Sequence, residues 1–318
     1  MRRYTEVKCG RADRIPAAPL NKLPQANYRE QMSTQPSPLE YTRWGAAEAA
    51  KHIRVPAVHD DKYSRGVLGV ITGSDQYPGA AVLGVEAALR TGVGMVRYLG
   101  GERVSTLVLQ RRPEAVASDG RVQAWLIGSG TDHANREADA EAAIDTAIGQ
   151  ALPTVLDGGA LERVHDRAGR TGDLPAGPTI ITPHYRELGR VLGVDPSEIE
   201  HDPGKWAQRA SWQLGVTVLL KGHTTYVAGG GVALSVSSAP TWLATAGAGD
   251  ALAGILGALV ATHADELAAE GSLLARLGAT ASVIHGLAAE RASAGGPLTI
   301  LDLAAEVPAT IAELLASR

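Results

Sequence analysis

The sequence predicts an α/β protein in which a mostly parallel central sheet carries helices on both faces. From Gly66 onward, short apolar and β-branched runs recur, and Ala-rich stretches with helical character often follow them. Continuous apolar strands separated by helices are typical of a parallel sheet that is covered on both faces. The predicted strands are residues 67–72, 124–127, 154–156, 179–182 and 216–220.

Length and composition agree with this fold class. The 318 residues suffice for one large α/β domain or two small ones, and the 45% hydrophobic and 20% charged content is that of a globular protein with a proper core. The net charge of -4 gives no electrostatic footprint for nucleic acid or an anionic membrane. No stretch approaches the roughly 20 apolar residues that span a bilayer. We therefore expect neither a nucleic-acid partner nor a membrane.

Cysteine and histidine usage bears on compartment and metal binding. The single Cys9 cannot form an internal disulfide, and no apolar segment follows Arg2 and Arg3 as in a secretory signal. We expect a soluble protein of the reducing cytoplasm. The nine His residues are scattered without metal-ligand spacing, so no metal held by protein side chains is expected.

Residues 1–40 differ from the rest of the chain. They are polar and Pro-rich without sustained periodicity, which predicts a disordered or loosely packed extension before a domain at residues 41–318. Met32 lies inside this stretch, so the sequence leaves open whether Met1 or Met32 is the natural start. A helix is predicted over residues 42–52.

Polar and glycine residues follow the predicted strands one after another. Gly73, Gly130, Asp157, His184 and Lys221 all come at or just after strand ends. Ligands of open α/β sheets bind outside the carboxyl ends of the strands. The sequence therefore predicts a ligand site at this edge of the sheet.

A glycine-rich segment precedes an apolar helix predicted at residues 251–261. Backbone N–H groups at a helix start bind anions, so Gly247, Ala248 and Gly249 form a candidate anion hole for phosphate. Asp250 follows directly and could act as a base there. The alternative is an Asp that only stabilises the amino end of the helix.

Two further strand ends carry candidate ligands. Lys221 can contact phosphate oxygens, and the hydroxyls of Thr224 and Thr225 can donate to them, although a solvated turn explains the same residues. Pro183 would fix the direction of His184. His285 lies in an apolar stretch and is interpreted as a core or subunit-contact residue.

Together these motifs resemble the ADP-dependent (S)-NAD(P)H-hydrate dehydratase family of the ribokinase-like superfamily. The ordered set carries the resemblance, which covers the chain from about residue 57 to the C-terminus. The motifs are residues 73–81 (GSDQYPGAA), 128–130 (GSG), 157–161 (DGGAL), 182–184 (TPH) with Glu187, 221–225 (KGHTT), 246–250 (AGAGD) and 284–286 (IHG).

The resemblance implies a ribokinase-like fold and a repair reaction. ADP, or ATP in some members, would phosphorylate the hydroxyl of hydrated NADH or NADPH (NADHX or NADPHX) in the presence of Mg²⁺, and loss of phosphate would restore the reduced cofactor. The nucleotide ADP would leave as AMP. The family also implies a homotetramer and a separate epimerase that interconverts the two hydrate forms. The sequence does not distinguish ADP from ATP.

The resemblance also implies a role for each matching position. The hydrate would contact Ala80, Gly130, His184 and Asp250, and Asp250 would be the catalytic base. The adenine nucleotide would contact Lys221, Gly222, His223, Thr224, Thr225 and Gly249. Gly159 stands where relatives often have a second Asp, which leaves the role of the loop at residues 157–159 open. The alternatives are a ribokinase-like kinase of a vitamin-precursor alcohol and a non-catalytic nucleotide-binding regulator.

Overall fold

The computed structural model describes residues 37–132, 136–164 and 176–318, and the strands of these parts form one nine-stranded sheet. The spatial order is β1-β9-β8-β7-β6-β5-β4-β2-β3, and pairing is parallel except where β8 lies antiparallel to β7 and β9. The strands are β1 (Thr42–Arg43), β2 (Val67–Ile71), β3 (Met95–Tyr98), β4 (Ala124–Ile127), β5 (Thr154–Leu156), β6 (Thr179–Ile181), β7 (Thr217–Leu220), β8 (Thr225–Gly229) and β9 (Val232–Val236).

Helices pack on both faces of this sheet, which confirms the predicted fold class. Apolar side chains bury themselves in two layers, one on each side of the strands. The helices are α1 (Ala46–Ala50), α2 (Pro78–Thr91), α3 (Glu102–Arg111), α4 (Ala138–Gly149), α5 (Tyr185–Leu192), α6 (Pro196–His201), α7 (Pro203–Leu214), α8 (Ala248–Thr262), α9 (Leu273–Ser293) and α10 (Ile300–Ala316). In the described part of the chain, 3₁₀ helices lie at Gly158–Arg163 and Thr241–Leu243.

The five predicted strands are confirmed to within one residue at each end. The apolar pattern did not predict β3, whose run is interrupted by Arg97, or the hairpin of β8 and β9. The hairpin continues the sheet beyond β7 through antiparallel pairs. Thr225 of β8 and Val236 of β9 line a cavity beside Lys221.

The predicted helix over residues 42–52 is wrong in its first turn. Thr42 and Arg43 instead form a parallel edge strand on β9, and the Trp44 N–H continues the pairing to the Ser235 carbonyl at 2.8 Å. The exposed edge of β9 offers backbone partners that a local helix would not satisfy. The helix begins only at Ala46, after the Gly45 N-cap.

The predicted apolar helix at residues 251–261 is confirmed as the buried part of α8. This helix crosses α2 at very short distance, since a Cβ placed on Gly254 would lie 2.2 Å from the Gly84 carbonyl oxygen. Only a residue without a side chain allows this approach. The crossing places the amino end of α8 beside the middle of α2, where a Cβ on Gly84 would lie 3.5 Å from the Asp250 carbonyl oxygen.

A disordered or loosely packed extension is predicted for residues 1–40. Residues 1–36 of this stretch lie outside the part of the chain that the structure describes. Pro38 onward belongs to one compact unit that extends to Arg318. In that unit, the Leu39 backbone N–H donates to the Gln208 side chain at 2.8 Å, and that side chain donates back to the Leu39 carbonyl at 2.9 Å. Within the three described ranges, no helix has the length and apolarity that crossing a bilayer would require.

Candidate active site

Three neighbouring strands deliver their polar ends to one place on the carboxyl edge of the sheet. Asp157 follows β5, the segment from Thr182 to His184 follows β6, and Lys221 follows β7. The Lys221 N–H donates to the Pro183 carbonyl at 2.8 Å, so parallel pairing continues past the strands themselves. The predicted convergence of these strand ends is observed.

Asp157 and Lys221 form a buried ion pair. The Lys221 Nζ lies 2.9 Å from Asp157 Oδ1, and the side chains are 20% and 6% exposed, respectively. Asp157 Oδ1 also accepts from the Thr182 hydroxyl at 2.6 Å, and Oδ2 accepts from the Ser129 hydroxyl at 2.8 Å. A fully hydrogen-bonded carboxylate of this kind has a defined orientation.

Both partners of this pair are charged. Burial opposes ionisation of Asp157, but Lys221 and the two hydroxyl donors outweigh it and lower the pKa of the carboxyl. Burial likewise opposes the Lys221 charge, whereas Asp157 and then Glu187, whose Oε2 lies 3.7 Å away, raise the pKa of the ammonium. The site therefore holds a fixed ammonium between two carboxylates.

That charge lies against the amino end of α8. Gly247 caps this helix in the left-handed region with φ of 90°, which a glycine adopts readily. A Cβ on Gly249 would lie 3.4 Å from Lys221 Nζ, which shows how close the ammonium is to the first turn. The helix end and Lys221 together favour a phosphate at the predicted anion hole of Gly247, Ala248 and Gly249.

Asp250 lies in the same first turn and holds a proton more tightly than an ordinary Asp. Burial and then the nearby Asp157 charge raise the pKa of Asp250 to about 6, while Lys221 opposes the shift. A carboxylate with a pKa near neutrality can both accept and release a proton at physiological pH. This behaviour is what a base needs, whereas simple stabilisation of the helix end requires only an ionised side chain.

A cavity of about 150 Å³ opens next to Lys221 and α8. Its polar lining includes most of the predicted nucleotide-binding residues: Lys221, Gly222, His223, Thr225 and Gly249. Thr224 is different, because its hydroxyl lies 2.9 Å from the Ser237 hydroxyl and the residue does not line the cavity. The other walls are mainly apolar: Val236, Ala239, Leu243, Ala248 and Leu252.

His285 also lines this cavity, which the sequence interpretation did not foresee. The residue is 6% exposed, in agreement with its interpretation as a core residue. Burial lowers the pKa of the ring to about 4, although the Ala248 backbone partly opposes this shift. A neutral imidazole therefore faces the predicted nucleotide pocket. The motif at residues 284–286 was the signal that could have identified it.

The predicted substrate-contact residues Ala80 and Gly130 lie against each other. A Cβ on Gly130, whose φ is +65°, would come within 2.3 Å of the Ala80 Cβ. The Ser74 hydroxyl donates to the Gly130 carbonyl at 2.9 Å and fixes the loop. The structure thus brings the first turn of α2 and the loop that follows β4 together at the sheet edge.

His184 combines a structural contact with an exposed position. Its Nδ1 accepts from the Glu187 N–H at 3.2 Å, so the ring caps α5, and Glu187 accepts from the His184 N–H at 2.8 Å. The side chain is nevertheless 50% exposed. Burial and Lys221 lower the pKa of the ring against the opposing effect of Glu187. The ring is therefore mainly neutral and accessible to a ligand.

Comparison with known proteins identifies relatives along most of the chain. The sequence model of the family described as NAD(P)H-hydrate dehydratase matches residues 68–307. The bifunctional NAD(P)H-hydrate repair enzyme Nnr of Mycobacterium leprae is 41% identical over 223 residues, which are 68% of this chain and 45% of that protein. The chain thus spans about half the length of this bifunctional relative.

Two shorter proteins match over most of their own length. The ADP-dependent (S)-NAD(P)H-hydrate dehydratase of Xanthomonas campestris pv. campestris is 32% identical over 246 residues, covering 70% of this chain and 82% of that protein. A crystal structure of the ADP/ATP-dependent NAD(P)H-hydrate dehydratase from Bacillus subtilis, co-crystallized with ATP/Mg²⁺, superposes with a TM-score of 0.73 at 23% identity, covering 87% of this chain and 99% of that chain. The similarity to the Bacillus subtilis structure shows a shared fold.

Proposed function

The chain belongs to the NAD(P)H-hydrate dehydratase family, and from this premise we propose that it restores NADH and NADPH from their S-hydrates with ADP as the phosphoryl donor. The observation that carries the proposal is that the Lys221 ammonium lies against the first turn of α8, which contains Asp250. A base beside a phosphate-binding cation suits transfer of a phosphoryl group to a hydroxyl. ATP is the alternative donor, since the Bacillus subtilis structure was co-crystallized with it.

The proposed reaction has two steps. Asp250 takes the proton of the 6-hydroxyl as the oxygen attacks the terminal phosphorus, and AMP leaves when ADP is the donor. The phosphorylated ring then loses inorganic phosphate together with a ring proton, which restores the double bond. Water is thereby removed from the hydrate at the expense of one phosphoanhydride bond. The chain needs to bind two anionic ligands so that their reacting atoms meet beside Asp250.

Charge stabilisation during transfer would come from groups already in place. In this proposal, the amino end of α8 and the Lys221 ammonium would face the region where phosphate charge increases in the transition state. Because these groups are fixed before the ligand binds, little reorganisation is needed. The hydrate would lie on the Ala80 and Gly130 side, with His184 exposed at the carboxyl end of β6.

Magnesium would accompany the nucleotide in this scheme. Within the described ranges, no group of three or more His, Cys, Asp or Glu side chains is placed to hold a metal ion. Mg²⁺ commonly binds through substrate phosphates and water with few protein ligands, so the site is compatible with a cation carried by ADP. When bound, the ion would neutralise phosphate charge.

A single assay tests the proposal. The chain is mixed with NADHX, ADP and Mg²⁺, and the near-ultraviolet absorbance of NADH is recorded together with release of inorganic phosphate. We expect equal amounts of NADH and phosphate. A stable phosphorylated product without NADH would instead identify a small-molecule kinase, and nucleotide binding without either product would identify a regulator.

Replacing Lys221 with Ala should weaken ADP binding. The ammonium is the fixed positive charge beside the proposed phosphate position, and a charge-assisted hydrogen bond contributes on the order of 1–3 kcal/mol. Calorimetric titration with ADP measures the effect. Unchanged affinity in the folded variant would remove Lys221 from the nucleotide site.

Replacing His184 with Ala should raise the KM for the hydrate several-fold and leave ADP affinity nearly unchanged, because the ring lies outside the ADP cavity. His184→Asn is the matched variant, since Asn keeps a side-chain acceptor for the cap of α5. If only the cap matters, Asn restores the KM. A defect confined to ADP binding would contradict the assignment.

The assembly and pathway expectations remain part of the proposal. We propose a homotetramer and a separate epimerase that supplies the S-hydrate from its R form. The description of the Mycobacterium leprae relative as bifunctional agrees with a second repair activity in that protein. Light scattering of the purified chain tests the tetramer.

A further inference from the structure

Asp157 is a buried carboxylate at the site, and the proposed reaction assigns it no direct role. It lies under Lys221, and both of its oxygens are occupied by donors from neighbouring strand ends. Burial of a charge is unfavourable unless the charge is paired and hydrogen-bonded, so this arrangement needs an explanation. A purely structural position would be filled more simply by an apolar residue.

The contacts show what Asp157 does to Lys221. The Ser129 hydroxyl on Oδ2 and the Thr182 hydroxyl on Oδ1 fix the plane of the carboxylate, at 2.8 Å and 2.6 Å. The same Oδ1 then accepts from Lys221 Nζ at 2.9 Å. A flexible lysine side chain is thereby held in one place. Glu187, 3.7 Å from the same ammonium on another side, would otherwise draw it toward α5.

We propose that Asp157 is a positioning residue for phosphoryl transfer, whose fixed carboxylate holds the Lys221 ammonium against the amino end of α8. The inference rests on the proposed function, in which that ammonium binds the transferring phosphate. It gives the loop at residues 157–159 a role through Asp157. Gly159 has no side chain and takes no part in these contacts.

Asp157 also contributes to the electrostatics of Asp250. The charged groups that influence Asp250 are Asp157 and Glu187, which raise the pKa of its carboxyl, and Lys221, which lowers it. Neutralising Asp157 removes one negative charge and leaves the ammonium free to approach Asp250. Both changes lower the pKa of Asp250, so they act in the same direction on the pH profile.

The test is a double-mutant cycle of Asp157→Asn and Lys221→Met in the full chain. Asp157→Asn alone should lower kcat about 10- to 100-fold, the scale of a misplaced catalytic group. If Asp157 acts through Lys221, adding Asp157→Asn to Lys221→Met should change kcat by no more than about twofold. Defects that multiply in the double variant would overturn the proposal.

The pH profile separates positioning from a general folding role. In Asp157→Asn, the acidic limb of kcat/KM should move to lower pH, by on the order of one unit. Ser129→Ala removes a donor but keeps the Asp157 charge, so its limb should stay at the wild-type pH. A limb that stays in place in Asp157→Asn as well would indicate a merely structural residue and contradict the inference.

The effect of Asp157 can be measured even if Asp157→Asn does not fold or the wild type is inactive. If Asp157→Asn does not fold, the double variant can be compared with Lys221→Met directly, since it leaves no unpaired buried charge. The cycle is also measured as ADP affinity by calorimetry, where Asp157→Asn should weaken binding several-fold alone and have no further effect beside Lys221→Met. The ADP titration does not require catalytic activity. An inactive wild type would therefore refute the proposed function, while the ADP affinities would still test the role of Asp157.

Discussion

Replacing Asp250 with Asn is expected to lower kcat by roughly 10²–10⁴, the usual contribution of a general base. Asn keeps the shape of the side chain and its oxygen acceptor, but it cannot take the proton of the substrate hydroxyl. If Asp250 only stabilised the start of α8, Asn would replace it with a small loss of stability. Steady-state assay of NADH formation measures the effect, and near wild-type turnover would remove the base assignment.

Asp302→Asn is the matched control for this substitution. Asp302 occupies the first turn of α10, where its carboxylate accepts from the Thr299 hydroxyl at 2.7 Å, and it is not among the residues that line the cavity. The change should leave kcat near the wild-type value. A comparable loss of activity in both variants would point to a general effect of neutralising an Asp near a helix start.

The pH dependence of the wild type follows from the same carboxyl group. Burial and the Asp157 charge raise the pKa of Asp250 to about 6. A base must be deprotonated to act, so kcat/KM should be full above this pH and fall as the pH drops through about 6. The residual kcat/KM of Asp250→Asn should not show this decrease at acidic pH.

Replacing Gly130 with Ala is expected to lower kcat/KM for the hydrate by about 10² or more while ADP affinity changes little. The new Cβ would lie 2.3 Å from the Ala80 Cβ, and the φ of +65° disfavours any residue with a side chain by roughly 1–2 kcal/mol. The first turn of α2 and the loop that follows β4 must separate, which displaces the proposed hydrate wall relative to Asp250. Such displacements strongly reduce the rate of a positioned reaction.

Gly149→Ala controls for the glycine-to-alanine change. Gly149 is exposed at the end of α4, and no atom lies within 4 Å of a Cβ placed there. It should keep activity and stability. The comparison uses hydrate kinetics, ADP calorimetry and thermal midpoints. Wild-type kinetics in Gly130→Ala would show that the Ala80 and Gly130 contact has no part in the site.

The sequence by itself determined the features that arise from local preference. Apolar β-branched runs located β2, β4, β5, β6 and β7, because each strand is buried on both faces. The glycines before Asp250 marked the start of α8, since only glycine readily adopts the φ of Gly247. The order of these motifs was enough to indicate the family.

The tertiary structure alone decided how residues far apart in the chain act on one another. Asp157 and Lys221 are 64 residues apart, and their pairing depends on the adjacency of β5, β6 and β7. His285 reaches the cavity because α9 packs beside the start of α8, whereas the Thr224 hydroxyl lies beside Ser237. Thr42 and Arg43 joined the sheet because β9 had an unpaired edge. Burial and distant charges also set the pKa of Asp250, and no local sequence pattern encodes either quantity.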